Sequence, residues 1–191
     1  MKKKATKMDL TEKQLTSEKI FDGIVLHVRR DDIEMPNGIK SVREYVKHNG
    51  AVCIIPVTDD GKVLLERQYR YAVGQTMIEI PAGKLDTPDE DLTSAALREL
   101  KEETGATPRE LYDLGDYYGS PAILSERIRM FLAVGLTFGE QKFDYDELLE
   151  IFEIPLDDAV ADVLSGKITD GKTQAGILRA SEMLKKLKTT R

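Results

Sequence analysis

The chain has 191 residues, 41% of them hydrophobic and 32% charged, with a formal net charge of -6 and a single cysteine. That length supports one buried core and a small extension, and the acidic balance argues against a nucleic-acid-binding surface. Cys53 alone excludes an internal disulfide framework. The start, MKKKATKMDL, is followed by no apolar stretch, and no run approaches membrane-spanning length, so a cytoplasmic protein is expected.

In chain order, Lys19 to Val28 alternates loosely, with Ile20, Ile24, Leu26 and Val28 apolar, and reads as a half-buried strand. Pro36-Asn37-Gly38 marks a turn before a second strand over Ser41 to Lys47. Ala51 to Val57 is a continuous apolar run, as a buried central strand would be. Asp59-Asp60-Gly61 turns the chain into a strand over Lys62 to Tyr71, and Met77 to Ile80 gives a short one ahead of the Pro81-Ala82-Gly83 loop. After a helix, strands are predicted at Arg127 to Leu136 and Leu148 to Ile154. Helices follow at Leu156 to Leu164, ended by Gly166, and at Lys172 to Leu187. The alternation predicts an α/β fold, a mixed sheet covered by helices on both faces. Residues 1–48 form an N-terminal antiparallel strand extension in this reading, and residues 49–191 the main domain.

The stretch that organises the chain is GKLDTPDEDLTSAALRELKEETGA, Gly83 to Ala106. Thr87-Pro88-Asp89-Glu90 has the form of a capping box with Pro88 at the first helical position, and Asp89, Glu90 and Asp91 suit the positive end of the dipole. Gly105 is the expected stop. Just before it, Glu99, Glu102 and Glu103 fall within roughly a 100° arc of the helix. Glu99 and Glu103 are a like-charge i,i+4 pair, and all three oppose the dipole. A solvated acidic face, partly neutralised by Arg98 and Lys101, is the plain reading. The other is a divalent cation, since Mg²⁺ takes carboxylate and phosphate oxygens together.

The order of residues favours the cation. Gly83, Glu90, Arg98-Glu99-Leu100, Glu102-Glu103 and Gly105-Ala106 resemble the Nudix box, G-x5-E-x7-R-E-U-x-E-E-x-G-U with U apolar. The second part matches throughout, whereas six residues separate Gly83 from Glu90 where the pattern has five. Either the loop carries one extra residue or Asp89 stands in for the glutamate; the spacing of Glu90 to Arg98 favours the loop. Further strings resemble the ADP-ribose pyrophosphatase branch of the Nudix hydrolases. They are Arg43-Glu44, His48 with Gly50-Ala51-Val52, Arg67-Gln68-Tyr69-Arg70, Glu79-Ile80-Pro81-Ala82-Gly83 and Ser120-Pro121.

The resemblance implies a Nudix-type α/β/α sandwich and hydrolysis of the pyrophosphate bond of ADP-ribose to AMP and ribose 5-phosphate. Other nucleoside diphosphate sugars such as GDP-mannose are the rival substrates, and a non-catalytic nucleotide-binding module is the rival class. It implies a homodimer that uses the N-terminal strands, and Mg²⁺ as cofactor, with Mn²⁺ as the alternative. Glu99, Glu102, Glu103 and the Ala82 carbonyl are the implied metal ligands, within a box whose Gly83, Glu90 and Arg98 are structural, Glu90 as a cap or as the ion-pair partner of Arg98. The catalytic base is expected among Glu147, Glu126 and Glu102; Tyr145 stands where some relatives carry a glutamate. Arg43, Arg70 and Pro121 are the candidate substrate-binding residues, the arginines because a guanidinium fits phosphate oxygens bidentately.

Overall fold

The structure is a computed structural model that describes residues 8–142 and 148–189. Its elements in chain order are β1 (Lys13–Asp22), β2 (His27–Glu34), β3 (Lys40–Lys47), β4 (Ala51–Val57), β5 (Lys62–Arg70), β6 (Gln75–Glu79), β7 (Ala82–Lys84), α1 (Leu92–Thr104), β8 (Ala106–Tyr117), β9 (Ile128–Phe138), β10 (Leu149–Pro155), α2 (Leu156–Leu164) and α3 (Gly171–Thr189). The chain divides into two units: Met1–His48 with Ser120–Glu126, and Asn49–Gly119 with Arg127–Arg191.

The larger unit is built around β4, whose seven residues are all buried. Successive side chains of a strand point to opposite faces, and β4 feeds two cores in that way. Cys53, Ile55 and Val57 join Met130 and Leu132 of β9 and Ala159, Ile177 and Ala180 of α2 and α3. Val52 and Ile54 join Phe131 and Ala133 of β9 and Ala95, Ala96 and Leu100 of α1. The sheet order is β10-β5-β4-β9-β8, with β6 on β5 and β7 on β4. The β4–β9 pair is parallel and the other pairs are antiparallel. The expected α/β/α sandwich with a mixed sheet therefore forms, α1 on one face and α2 with α3 on the other.

The smaller unit is an antiparallel sheet, β1-β2-β3. The strand expected over Lys19 to Val28 is two strands joined by a turn. Gly23 N–H donates to the Leu26 carbonyl (2.9 Å), and Ile24, Val25 and Leu26 are exposed at the turn. The loose apolar alternation there marks an outward-facing hairpin tip, not a core face. Residues 120–126 add a parallel bridge from Leu124 to Val46 of β3.

One element is unsignalled in the sequence and one expectation fails, each for a local reason. Strand β8 follows α1 with only Gly105 between them. As a half-exposed edge strand containing Pro108 and a bulge at Gly115, it lacks the apolar signal that marks β4. The capping box does not form either: Thr87 to Asp89 make a turn, and α1 begins at Leu92. Asp91 caps instead, its Oδ1 accepting the Ser94 N–H and hydroxyl, both at 2.8 Å. No acid occupies the first turn.

Candidate active site

Helix α1 buries Ala95, Ala96 and Leu100, and this fixes the direction of its acidic face. Glu99 and Glu102 border a cavity of about 370 Å³ together with Glu103, Arg98, Ala82, Gly83, Lys84, Asp86, Gln68, Arg70 and Lys142. Glu103 is 3% exposed. The backbone of Gly83 lies against the Glu99 carboxylate, in the space a side chain at 83 would fill. The Gly83 loop is anchored by β7, where Ala82 pairs with Cys53 of β4, and by the Ile54 N–H, which donates to the Pro81 carbonyl (2.9 Å).

Arg98 organises the acids. Its Nη1 donates to Glu99 Oε1 (2.7 Å) and Glu102 Oε2 (3.3 Å), and its Nη2 to Glu90 Oε1 (3.2 Å). Partial burial works against its charge, but Glu99 and Glu90 beside it raise its pKa further. Glu90 therefore serves as an ion-pair partner, and its other oxygen accepts the Asp86 N–H (2.7 Å), bracing the loop. The end of the helix is held by the chain after β9. Gly139 N–H donates to the Gly105 carbonyl (2.8 Å), Lys142 N–H to that of Glu102 (2.9 Å) and Gln141 Nε2 to that of Glu103 (3.1 Å).

Arg70 closes another wall. Its Nε and Nη2 fork onto Glu79 Oε1 (2.6 Å) and Oε2 (2.8 Å). Glu79 is 2% exposed and also receives the Lys172 ammonium, which reaches Asp170 at 3.1 Å. Burial pushes the Glu79 carboxyl up, but Arg70 and Lys172 outweigh it and hold the pKa below the usual glutamate range. Nothing in the sequence signals this cluster, since Lys172 lies 93 residues beyond Glu79; Gln68 and Lys142 at the cavity wall also went unmarked.

Of the expected site residues, the structure brings Ala82, Gly83, Arg98, Glu99, Glu102, Glu103 and Arg70 around one cavity, with Glu90 behind Arg98. Arg43, Pro121 and Glu126 belong to the smaller unit. There Arg43 pairs with Glu12 (Nε to Oε2, 2.9 Å), Glu126 lies 3.6 Å from His48 Nε2, and Pro121 is exposed. Glu147 and Tyr145 lie outside the described residues.

Among the described residues no three His, Cys, Asp or Glu side chains form a ready-made metal cluster; the Arg98 guanidinium stands bonded to both Glu99 and Glu102. The donor chemistry still fits a hard cation. Asp86, Glu99, Glu102 and Glu103 bring carboxylates to the lining beside the cations of Arg70, Lys84, Arg98 and Lys142, and no lining side chain carries sulfur or imidazole. The side-chain-free Gly83 also lets the Glu99 carboxylate settle against the loop.

Residues 47–174 match the NUDIX domain, and residues 12–46 the nucleoside diphosphate sugar hydrolase N-terminal domain. The chain is 43% identical over 170 residues to an ADP-ribose pyrophosphatase of Bacillus subtilis (strain 168), covering 88% of this chain and 91% of the relative. It is 39% identical over 178 residues to a methanol dehydrogenase activator of Bacillus methanolicus, covering 91% and 96%. A crystal structure of an ADP compounds hydrolase superposes with a TM-score of 0.81 at 25% identity, over 95% of this chain and 98% of that one. The acidic face of α1, the glycine loop against it and these matches along most of the sequence agree: the chain belongs to the Nudix family.

Proposed function

We propose that the protein is a Nudix pyrophosphohydrolase that cleaves ADP-ribose to AMP and ribose 5-phosphate. The observation that carries the reading is the single cavity onto which Glu99, Glu102, Glu103, Ala82 and Arg70 open. The likeness to an ADP-ribose pyrophosphatase supports the substrate. The match of residues 12–46 to an N-terminal domain of nucleoside diphosphate sugar hydrolases keeps GDP-mannose and its kin as the second reading.

Nudix hydrolases work with divalent cations, and Mg²⁺ is the ion proposed here, with Mn²⁺ as the alternative. Bound by Glu99, Glu103, Glu102 and the Ala82 carbonyl, it would supply charge neutralisation and water activation. The remaining work falls to the chain. Arg98 spaces the carboxylates of Glu90, Glu99 and Glu102. Arg70 holds a phosphate of the substrate, with its charge secured from behind by Glu79. Arg43 and Pro121 are assigned to substrate binding. The base is assigned among Glu147, Glu126 and Glu102.

Residues 1–48 are assigned to dimerisation and residues 49–191 to the hydrolase domain of a cytoplasmic homodimer. Supporting the dimer are Ile20, Phe21, Ile24, Val25 and Leu26, large apolar residues exposed together on β1 and its turn. No helix among the described residues is long and apolar enough to cross a membrane.

The test is turnover with Mg²⁺ or chelator on ADP-ribose, GDP-mannose, UDP-glucose, NADH, diadenosine polyphosphates and a nucleoside triphosphate. Mg²⁺-dependent preference for ADP-ribose is expected. Preference for another nucleotide sugar would move the substrate, and binding without any turnover would favour a non-catalytic module.

A further inference from the structure

An arginine that binds phosphate needs its guanidinium held at a fixed angle, and a flexible side chain on a surface does not provide that. Arg70 is the last residue of β5, and Glu79 is the last of β6; in their ladder Arg70 faces Gln75 and Glu79 faces Glu66. The Arg70 side chain therefore runs back along the hairpin to reach Glu79. Its exposure is 40%, that of Glu79 2% and that of Lys172 11%. The acid is thus behind the wall of the cavity and the base is at its surface.

The fork uses the Nε and Nη2 edge, two of the five N–H donors of a guanidinium. Among the described residues Glu79 is the hydrogen-bond partner of the Arg70 guanidinium, so three donors remain for a group in the cavity. Lys172 supplies a second cation to Glu79 Oε2, and Asp170 holds Lys172 in turn. Asp170 Oδ2 also caps α3 by accepting the Thr173 N–H (2.9 Å), while Thr173 Oγ1 accepts the N–H of Ile80 (2.9 Å). The start of α3 is thereby locked to the strand end that carries Glu79. Because Lys172 shares the charge of Glu79, Arg70 keeps positive charge to offer an anion. A pair serving stability alone would not need this arrangement, since buried ion pairs seldom stabilise more than apolar packing does.

We propose that Glu79, with Lys172 behind it, is a positioning residue that aims the free edge of Arg70 at a phosphate of the substrate. This rests on the reading of the cavity as a pyrophosphohydrolase site. The test compares Arg70→Ala, Glu79→Gln, Glu79→Asp and the double variant Arg70→Ala/Glu79→Gln in steady-state hydrolysis of ADP-ribose, with folding checked by circular dichroism. Arg70→Ala and Glu79→Gln should each raise KM roughly tenfold, the scale of one charged hydrogen bond, with kcat within about threefold. The double variant should be no worse than Arg70→Ala, because Glu79 acts through Arg70. Glu79→Asp keeps the charge but draws the fork back by one methylene, and should raise KM as well; it decides the matter if Glu79→Gln does not fold.

Unchanged KM in the folded Glu79 variants, beside a raised KM in Arg70→Ala, would overturn the positioning role alone. Additive effects in the double variant would overturn it too. Unchanged KM in Arg70→Ala would remove Arg70 from the substrate site, and the role of Glu79 with it. A wild-type protein inert toward every nucleoside diphosphate compound would instead overturn the parent reading.

Discussion

Gly83 and Glu99 occupy one another's space: a β-carbon built on Gly83 would lie 1.8 Å from the Glu99 carboxyl carbon. The backbone of Gly83 needs no positive φ, so it is the neighbour, not the backbone conformation, that excludes a side chain. Gly83→Ala should therefore fold, since the end of a glutamate can swing aside, with a stability change of less than about 1 kcal/mol. It should lose most activity, because Glu99 leaves its place beside the loop. Denaturant unfolding and turnover measured on one preparation check the split.

Glu103→Gln removes a carboxylate from a helix face that already sets Glu99 and Glu102 beside it. In chelator its melting temperature should equal or exceed that of the wild type. With Mg²⁺ the wild type should melt higher, as any ligand specific to the folded state requires, and the variant should gain much less. Turnover should fall by roughly 100-fold. A variant with near-wild-type turnover and the same Mg²⁺ response would remove Glu103 from the metal site.

The pKa of Glu79 is depressed in the folded protein, so its ion pairs stabilise the fold above the unfolded glutamate pKa of about 4.3. That contribution is lost as pH falls through the lower folded value. Glu79→Gln should destabilise near neutrality by about 3 kcal/mol, because Lys172 is left buried beside one remaining acid. The gap between variant and wild type should narrow as pH drops below about 4. Urea midpoints across that range test the sign.

If the hairpin tip forms the contact between copies, Ile24→Glu should shift sedimentation from dimer to monomer. Ile24 is fully exposed and touches no core, so the thermal stability of the monomer should change by less than about 0.5 kcal/mol. An unaltered dimer would move the contact elsewhere.

The parts of this protein legible in the sequence are those whose partners lie close along the chain. The acids of α1 share a face because three- and four-residue spacings do so in any helix, and Ala51–Val57 had to be buried whichever way it faced. The start of α1 misled because Thr87-Pro88-Asp89-Glu90 and Asp91 with Ser94 both satisfy a capping rule, and the local sequence does not choose between them. Strand β8 stayed hidden because an edge strand needs an apolar pattern on one side only. The Arg70, Glu79 and Lys172 cluster depends on β6 and α3 meeting across the fold, which no local pattern encodes.

One consequence follows from the bonds that Gly139 and Lys142 make to the last turn of α1. The carbonyls at a helix terminus usually fray into water, yet here that terminus bears Glu102 and Glu103 and is clasped by the chain leaving β9. Any side chain at Gly105 would collide with the Gly139 carbonyl at 2.5 Å, so the clasp depends on that glycine as much as on its own bonds. The amide protons of Gly139 and Lys142 should exchange with solvent at one shared rate, that of the helix end opening, and ligand binding to the acids should slow both together.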